Sequence, residues 1–155
     1  MNVFTMAEFA FLGAVFYKVF SSPVIKKGMV AVLAAFGAFA AANLLWLQGG
    51  GQFNTWTMGL ECLLLMLVAL LFLFEVFRQG KVPRLERYPM FWVASGALLY
   101  FAGNLFLFIF SNYVLAESQN ALYAEWGIHS SLNIITNLCY AAGLWLRPGS
   151  LALAY

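Results

Sequence analysis

The sequence predicts an all-α fold: an integral membrane bundle of about five transmembrane helices, N-terminus outside and C-terminus cytoplasmic. Two observations set the class. Of the 155 residues, 64% are hydrophobic and 9% charged, whereas soluble domains carry roughly 25% charged and about 45–50% apolar residues. A soluble domain of this size keeps much of its surface in water, so the apolar excess is expected to face lipid. The second observation is its distribution. The apolar residues fall into five runs near the length of about 20 residues that a spanning helix needs. The whole chain reads as one transmembrane domain.

The runs cover roughly Val3–Phe20, Gly28–Gln48, Asn54–Phe77, Met90–Leu115 and Glu125–Leu146. The first is short and contains Glu8 and Lys18. It has no basic residues ahead of its apolar core and no clear small-residue cleavage site, so it reads as a retained helix and not as a secretory signal. The second carries Ala34, Ala38 and Ala42 at four-residue spacing, with Gly37 and Ala41 beside them. Small residues so spaced let helix backbones approach closely in lipid. In the fourth, Gly96 and Gly103 stand seven apart and share a face. Cys62 and Cys139 sit inside apolar runs and read as buried small hydrophobes, not as a disulfide. The linkers Ser21–Pro23, Gly49–Gly51, Gly80–Pro89 and Glu117–Tyr123 are short and turn-like, which makes consecutive helices antiparallel neighbours.

Orientation follows from the basic residues. Lys18, Lys26 and Lys27 flank the first linker, Arg78, Lys81, Arg84 and Arg87 the third, and Arg147 follows the last run. These are all eight Lys and Arg of the chain, and the second and fourth linkers have none. Lys and Arg are retained on the cytoplasmic side, which puts the odd-numbered linkers inside. Aromatic residues agree, since their amphipathic rings favour membrane boundaries. Trp46, Trp56, Tyr113, Tyr123 and Trp126 fall at the outer boundary; Tyr17, Tyr88, Trp92 and Trp145 fall at the inner one. Lys18 is expected to snorkel to the inner headgroups, and Glu75 to pair with a basic residue such as Arg78.

Candidate functional residues emerge when the helices are laid in alternating directions. Glu8, Asn43, Glu61, His129 and Asn133 then lie roughly 6–12 Å below the outer boundary at 1.5 Å per residue, with Asn104 somewhat deeper. In the fifth run His129, Asn133 and Asn137 recur every four residues and form one stripe. That stripe is expected to face the interior, with Leu132, Ile135 and Leu146 turned to lipid. Thr57 and Glu61 stand one turn apart in the third. An ionised side chain at the bilayer centre costs about 2.5–3.5 kcal/mol on insertion scales, so Glu61 is expected to pair with His129 or to carry a proton. The structural alternative is interhelical hydrogen bonding, worth about 0.6 kcal/mol on average.

Catalytic signatures are absent. The chain has one His and no Asp, and no His-x-x-x-His or Glu-x-x-His pair, so metal binding by Glu8, Glu61 and His129 is only weakly signalled. Ser130 beside His129 points about 100° away on a helix, and Gly49–Gly51 lacks the Lys-Ser/Thr of a phosphate loop. No Lys lies mid-helix to hold retinal. No cofactor is identified, and no nucleic-acid partner is expected.

The stretches Asn2–Phe9, Pro89–Trp92 through Asn104–Phe106, and His129–Ile135 resemble a group of uncharacterised bacterial polytopic membrane proteins, many with seven predicted helices. The resemblance covers most of the chain and brings no activity with it. It implies that the chain is similar to the last five helices of such a protein. The surface left by the missing pair then favours a homo-oligomer or another membrane protein as partner.

These readings combine into an expected multi-pass protein of the bacterial inner membrane. The leading expectation is a non-enzymatic sensory or accessory module whose outer-half pocket binds a small ligand or proton. His, which titrates near neutral pH, would be the switch, and the basic third linker would pass the change to a partner. The alternatives are a transporter or channel subunit relaying protons or cations through Glu8, Glu61 and His129, and a metal-dependent membrane enzyme.

Overall fold

The computed structural model describes residues 2–43, 55–80, 82, 84–117 and 119–146. Among them are five α-helices and no strand: α1 (Asn2–Val19), α2 (Pro23–Ala42), α3 (Thr55–Gln79), α4 (Pro89–Glu117) and α5 (Gln119–Trp145). Three helical segments are long and apolar enough to cross a membrane, namely Pro23–Ala42, Thr55–Gln79 and Pro89–Ile109. Neither α1, with Glu8 and Lys18, nor α5, with His129 and three Asn, is among them. Trp46, Gly49–Gly51, Lys81, Arg147 and the expected end of the second run at Gln48 lie outside the described residues, as does the side chain of Tyr113.

Helix ends follow local chemistry. Ser22 caps α2, its hydroxyl accepting from the Ile25 N–H at 3.5 Å, and Pro23 occupies the first turn, where its missing N–H costs nothing. This starts α2 five residues before the expected Gly28, because Lys26 and Lys27 form a first turn that an apolar run leaves out. Gly80 stops α3 with φ of 60°, the left-handed conformation that favours glycine after a helix. A single 3-10 turn, Leu85–Arg87, leads into α4, and the Trp92 indole donates to the Glu86 carbonyl at 2.9 Å. α5 begins at Gln119, not Glu125, since polar residues outside an apolar run still continue a helix.

The core lies where α1, α3 and α4 meet. α1 contributes Phe9, Leu12 and Phe16, with Phe20 just past its end; α3 contributes Cys62, Leu65, Ala69 and Phe72; α4 contributes Ala94, Ala97 and Phe101. The three- and four-residue steps place each set on one helix face. Phe72 is the hub of the end near the Leu85–Arg87 turn, its ring 5.8 Å from Phe16, 5.9 Å from Phe20 and 6.3 Å from Tyr88. Outward, Phe4, Phe11, Phe74, Phe106, Ile134 and Leu144 are each more than 60% exposed. An apolar surface this continuous marks lipid or protein contact, not water.

α4 lies between α3 and α5, while α1 joins α3 to α2. The α4–α5 contact is tight because glycines permit it. A Cβ on Gly96 would meet Cys139 Cβ at 2.9 Å, and one on Gly103 would meet Leu132 Cδ1 at 2.7 Å. Gly143 of α5 completes the seam, where a Cβ would stand 2.9 Å from the Pro89 carbonyl oxygen. Ala34, Ala38 and Ala41 are exposed, and α2 packs instead through Phe36, Ala40 and Asn43. The bulky Phe36 stacks 4.3 Å from Phe9 and holds the small-residue face away from α1. An apolar groove of about 610 Å³, lined by Gly13, Ala14, Gly28 and Leu64 among others, opens between α1, α2 and α3.

Candidate functional site

At the end of the bundle opposite the Leu85–Arg87 turn, a cavity of about 220 Å³ is lined by α1, α3, α4 and α5. Its polar groups are Thr5 and Glu8 of α1, Glu61 of α3 and His129 of α5. Apolar walls come from Phe4, Met58, Phe101 and Phe108, and the rings of Tyr100 and Trp126 close the remainder. Glu8 and Glu61 are the seventh residues of their helices. At 1.5 Å per residue each stands about 9 Å inside its helix, and antiparallel packing of the intervening α2 returns both to one level.

Among the described residues Glu61 has the most enclosed carboxyl group, 3% exposed, and its Oε1 has no hydrogen-bond partner. A buried polar atom left unsatisfied costs about 1–3 kcal/mol, more when charged. The residue that carries Oε1 lines the cavity. Glu8 is half-buried across the same space. No Lys or Arg lines the cavity, so its two carboxyl groups face no Lys or Arg there.

His129 is fixed from behind. Asn104 donates its Nδ2 to the Tyr100 carbonyl at 2.8 Å, one turn earlier on α4, and its Oδ1 lies 2.8 Å from His129 Nδ1. Because Oδ1 only accepts, Nδ1 is the protonated ring nitrogen, and Nε2 is the acceptor of the neutral ring. Tyr100, Phe108 and Trp126 surround the imidazole, with ring centroids at 5.9, 5.6 and 5.6 Å. The ring therefore has a defined tautomer and a defined position.

The expected residues divide into three groups. Glu8, Glu61 and His129 share the cavity. Asn104 lies outside the lining and holds His129, and Asn43, also outside it, donates to the Thr57 hydroxyl at 2.9 Å, one turn before Glu61. Asn133 is elsewhere. It is exposed, and Asn137 Nδ2 donates to its carbonyl oxygen at 2.9 Å. The interior face of α5 runs instead through His129, Leu132, Thr136 and Gly143, with the Thr136 hydroxyl donating to the Gly96 carbonyl at 3.2 Å. Leu132, expected in lipid, fills the space over Gly103. The polar stripe misled because a four-residue step drifts about 40° around a helix of 3.6 residues per turn. By Asn137 it has left the face that His129 occupies.

Glu75, expected beside Arg78, accepts instead from Gln79 Nε2 at 2.8 Å. Sequence reasoning passed over Thr5, Tyr100 and Phe108. All three were signalled by spacing: Thr5 is three residues before Glu8, while Tyr100 and Phe108 flank Asn104 at four. Among the described residues no group of three or more His, Cys, Asp or Glu is placed to hold a metal ion, so the metal-enzyme alternative gains no support from the geometry. Comparison with family models, curated proteins and solved structures finds no match to this chain.

Proposed function

We propose that the chain is a five-span bacterial inner-membrane protein, N-terminus outside, acting as a non-enzymatic sensory or accessory module. A small ligand or proton binds in the Glu8–Glu61–His129 cavity. The observation that carries this reading is the convergence of three ionisable side chains from three helices on one cavity, Glu61 among them with an unpartnered Oε1. Intramembrane ionisable groups are functional candidates by default. The orientation rests on the one-sided distribution of Lys and Arg, and it makes the cavity an outward-facing one. Binding between α1, α3 and α5 would alter their packing and be read by a partner at the basic 78–88 segment. The exposed Asn133 and Asn137 on α5 are polar groups that a second copy of the chain would cover, in keeping with a homo-oligomer.

A proton or cation relay needs polar groups beyond the cavity. Toward the other end, Phe16, Leu65, Ala69, Phe72 and Phe101 fill the core, so binding without passage is the reading that the packing supports. Native mass spectrometry of the chain released from mild detergent, beside His129→Ala, tests it. A small molecule retained by the wild type and lost from the variant is the expected result. A bare chain in both cases sinks the ligand-binding role, and flux across proteoliposomes would restore the relay.

A further inference from the structure

We infer that the cavity takes a small organic cation, a protonated primary or secondary amine with a compact apolar body, held by Glu61 and Glu8 among aromatic rings. This rests on the cavity being a ligand site, and it names the chemistry of the ligand.

The lining is one-sided. Glu61 lines the cavity, is 3% exposed and keeps an unpartnered Oε1. Glu8 adds a second carboxyl group, and His129 Nε2 is an acceptor because Asn104 commits the Nδ1 proton. No Lys or Arg answers them in the lining. Such a wall repels an anion and invites a group that brings its own N–H donors and positive charge. An ammonium meets Glu61 through a charge-assisted hydrogen bond, roughly twice as strong as a neutral one. It also turns the burial of that carboxyl group from a cost into a paired arrangement.

The apolar part of the lining supports the same class. Tyr100, Phe101, Phe108 and Trp126 present aromatic surface to the cavity, and aromatic faces attract cations most strongly when both are desolvated. The volume of about 220 Å³ has room for a single ring or a short branched chain.

The test is ligand-detected NMR titration of the full chain in lipid nanodiscs, against empty nanodiscs. Three probes of one shape are compared: cyclohexylamine, cyclohexanol and cyclohexanecarboxylate. Cyclohexylamine is expected to bind, with the other two weaker by roughly tenfold or more, the margin of one lost charged hydrogen bond. Glu61→Gln should weaken cyclohexylamine by a similar factor and leave cyclohexanol unchanged. Glu8→Gln is the second variant should Glu61→Gln fail to fold. If the alcohol or the carboxylate binds as well as the amine, and His129→Ala abolishes that binding, the cation inference falls and the ligand site stands. If no probe binds the wild type above the empty-disc level, both fall.

Discussion

His129 Nδ1 sits 2.8 Å from Asn104 Oδ1, and this contact joins the α5 wall of the cavity to α4. Asn104 is fully buried and its amide nitrogen is already committed to the Tyr100 carbonyl. It therefore acts as a one-way acceptor that sets which nitrogen of His129 holds the proton. The imidazole is positioned by its neighbour and not by its own helix alone.

Asn104→Leu should consequently free the ring without removing it. The lost acceptor leaves His129 Nδ1 unsatisfied, at a cost of about 1–3 kcal/mol. Two readouts check this. Thermal unfolding in detergent should show a lowered midpoint, and ¹⁵N NMR of the neutral imidazole should lose the single Nδ1–H tautomer. A variant that keeps that tautomer would show that the position is set elsewhere.

A different outcome is expected for Asn133 and Asn137. Both are exposed on α5 and bonded to each other, so replacing the pair by Leu should leave the fold and the cavity intact. If a second copy covers this face, the double variant should shift the chain toward monomer on crosslinking in membranes. Interhelical hydrogen bonds of this kind are worth about 0.6 kcal/mol on average, so a partial shift is expected. An unchanged oligomer distribution would remove this face from the interface.

These Asn residues also mark how far the sequence could be read. Glu8, Glu61 and His129 were legible as a group because each lies near the same helix end, and depth is a one-dimensional quantity given by counting residues. Facing is not. Asn133 has suitable depth but the wrong azimuth, and the alanine row of α2 has interface spacing but looks outward because Phe36 and Ala40 took the packing face. Helix starts were displaced toward the apolar runs for a related reason: hydropathy reports what lipid accepts, whereas Ser22 and Pro23 report where the backbone turns. The glycines of α4 were legible, since Gly96 and Gly103 share a face. Their partner Gly143 was not, because a lone glycine has no pattern.

That seam gives a stability prediction with an internal control. Gly143→Ala would place a methyl group 2.9 Å from the Pro89 carbonyl oxygen, and backbone cannot move aside as a side-chain end can. Overpacking of this type costs about 1–3 kcal/mol, so the unfolding midpoint should fall. Gly37→Ala meets nothing within 4 Å and restricts the unfolded chain, which favours stability by up to about 1 kcal/mol. Equal midpoints for the two variants would mean that α4 and α5 are not packed this closely in the membrane.

Topology can be tested with single cysteines in a background where Cys62 and Cys139 are replaced by Ala. Glu86 and Tyr123 are both exposed, at opposite ends of the bundle, so Glu86→Cys and Tyr123→Cys report on the two sides with little risk to the core. In intact cells, after the outer membrane is made permeable, a membrane-impermeant maleimide should label Tyr123→Cys. It should reach Glu86→Cys only after lysis, as the retention of Lys and Arg in the cytoplasm requires. The reverse pattern would place the Glu8–Glu61–His129 cavity on the cytoplasmic side. The ligand would then come from inside the cell, and the basic segment could not contact a cytoplasmic partner. Labelling of both sites in intact cells would mean that an odd number of spans does not separate them, and the five-span reading would fall with the orientation.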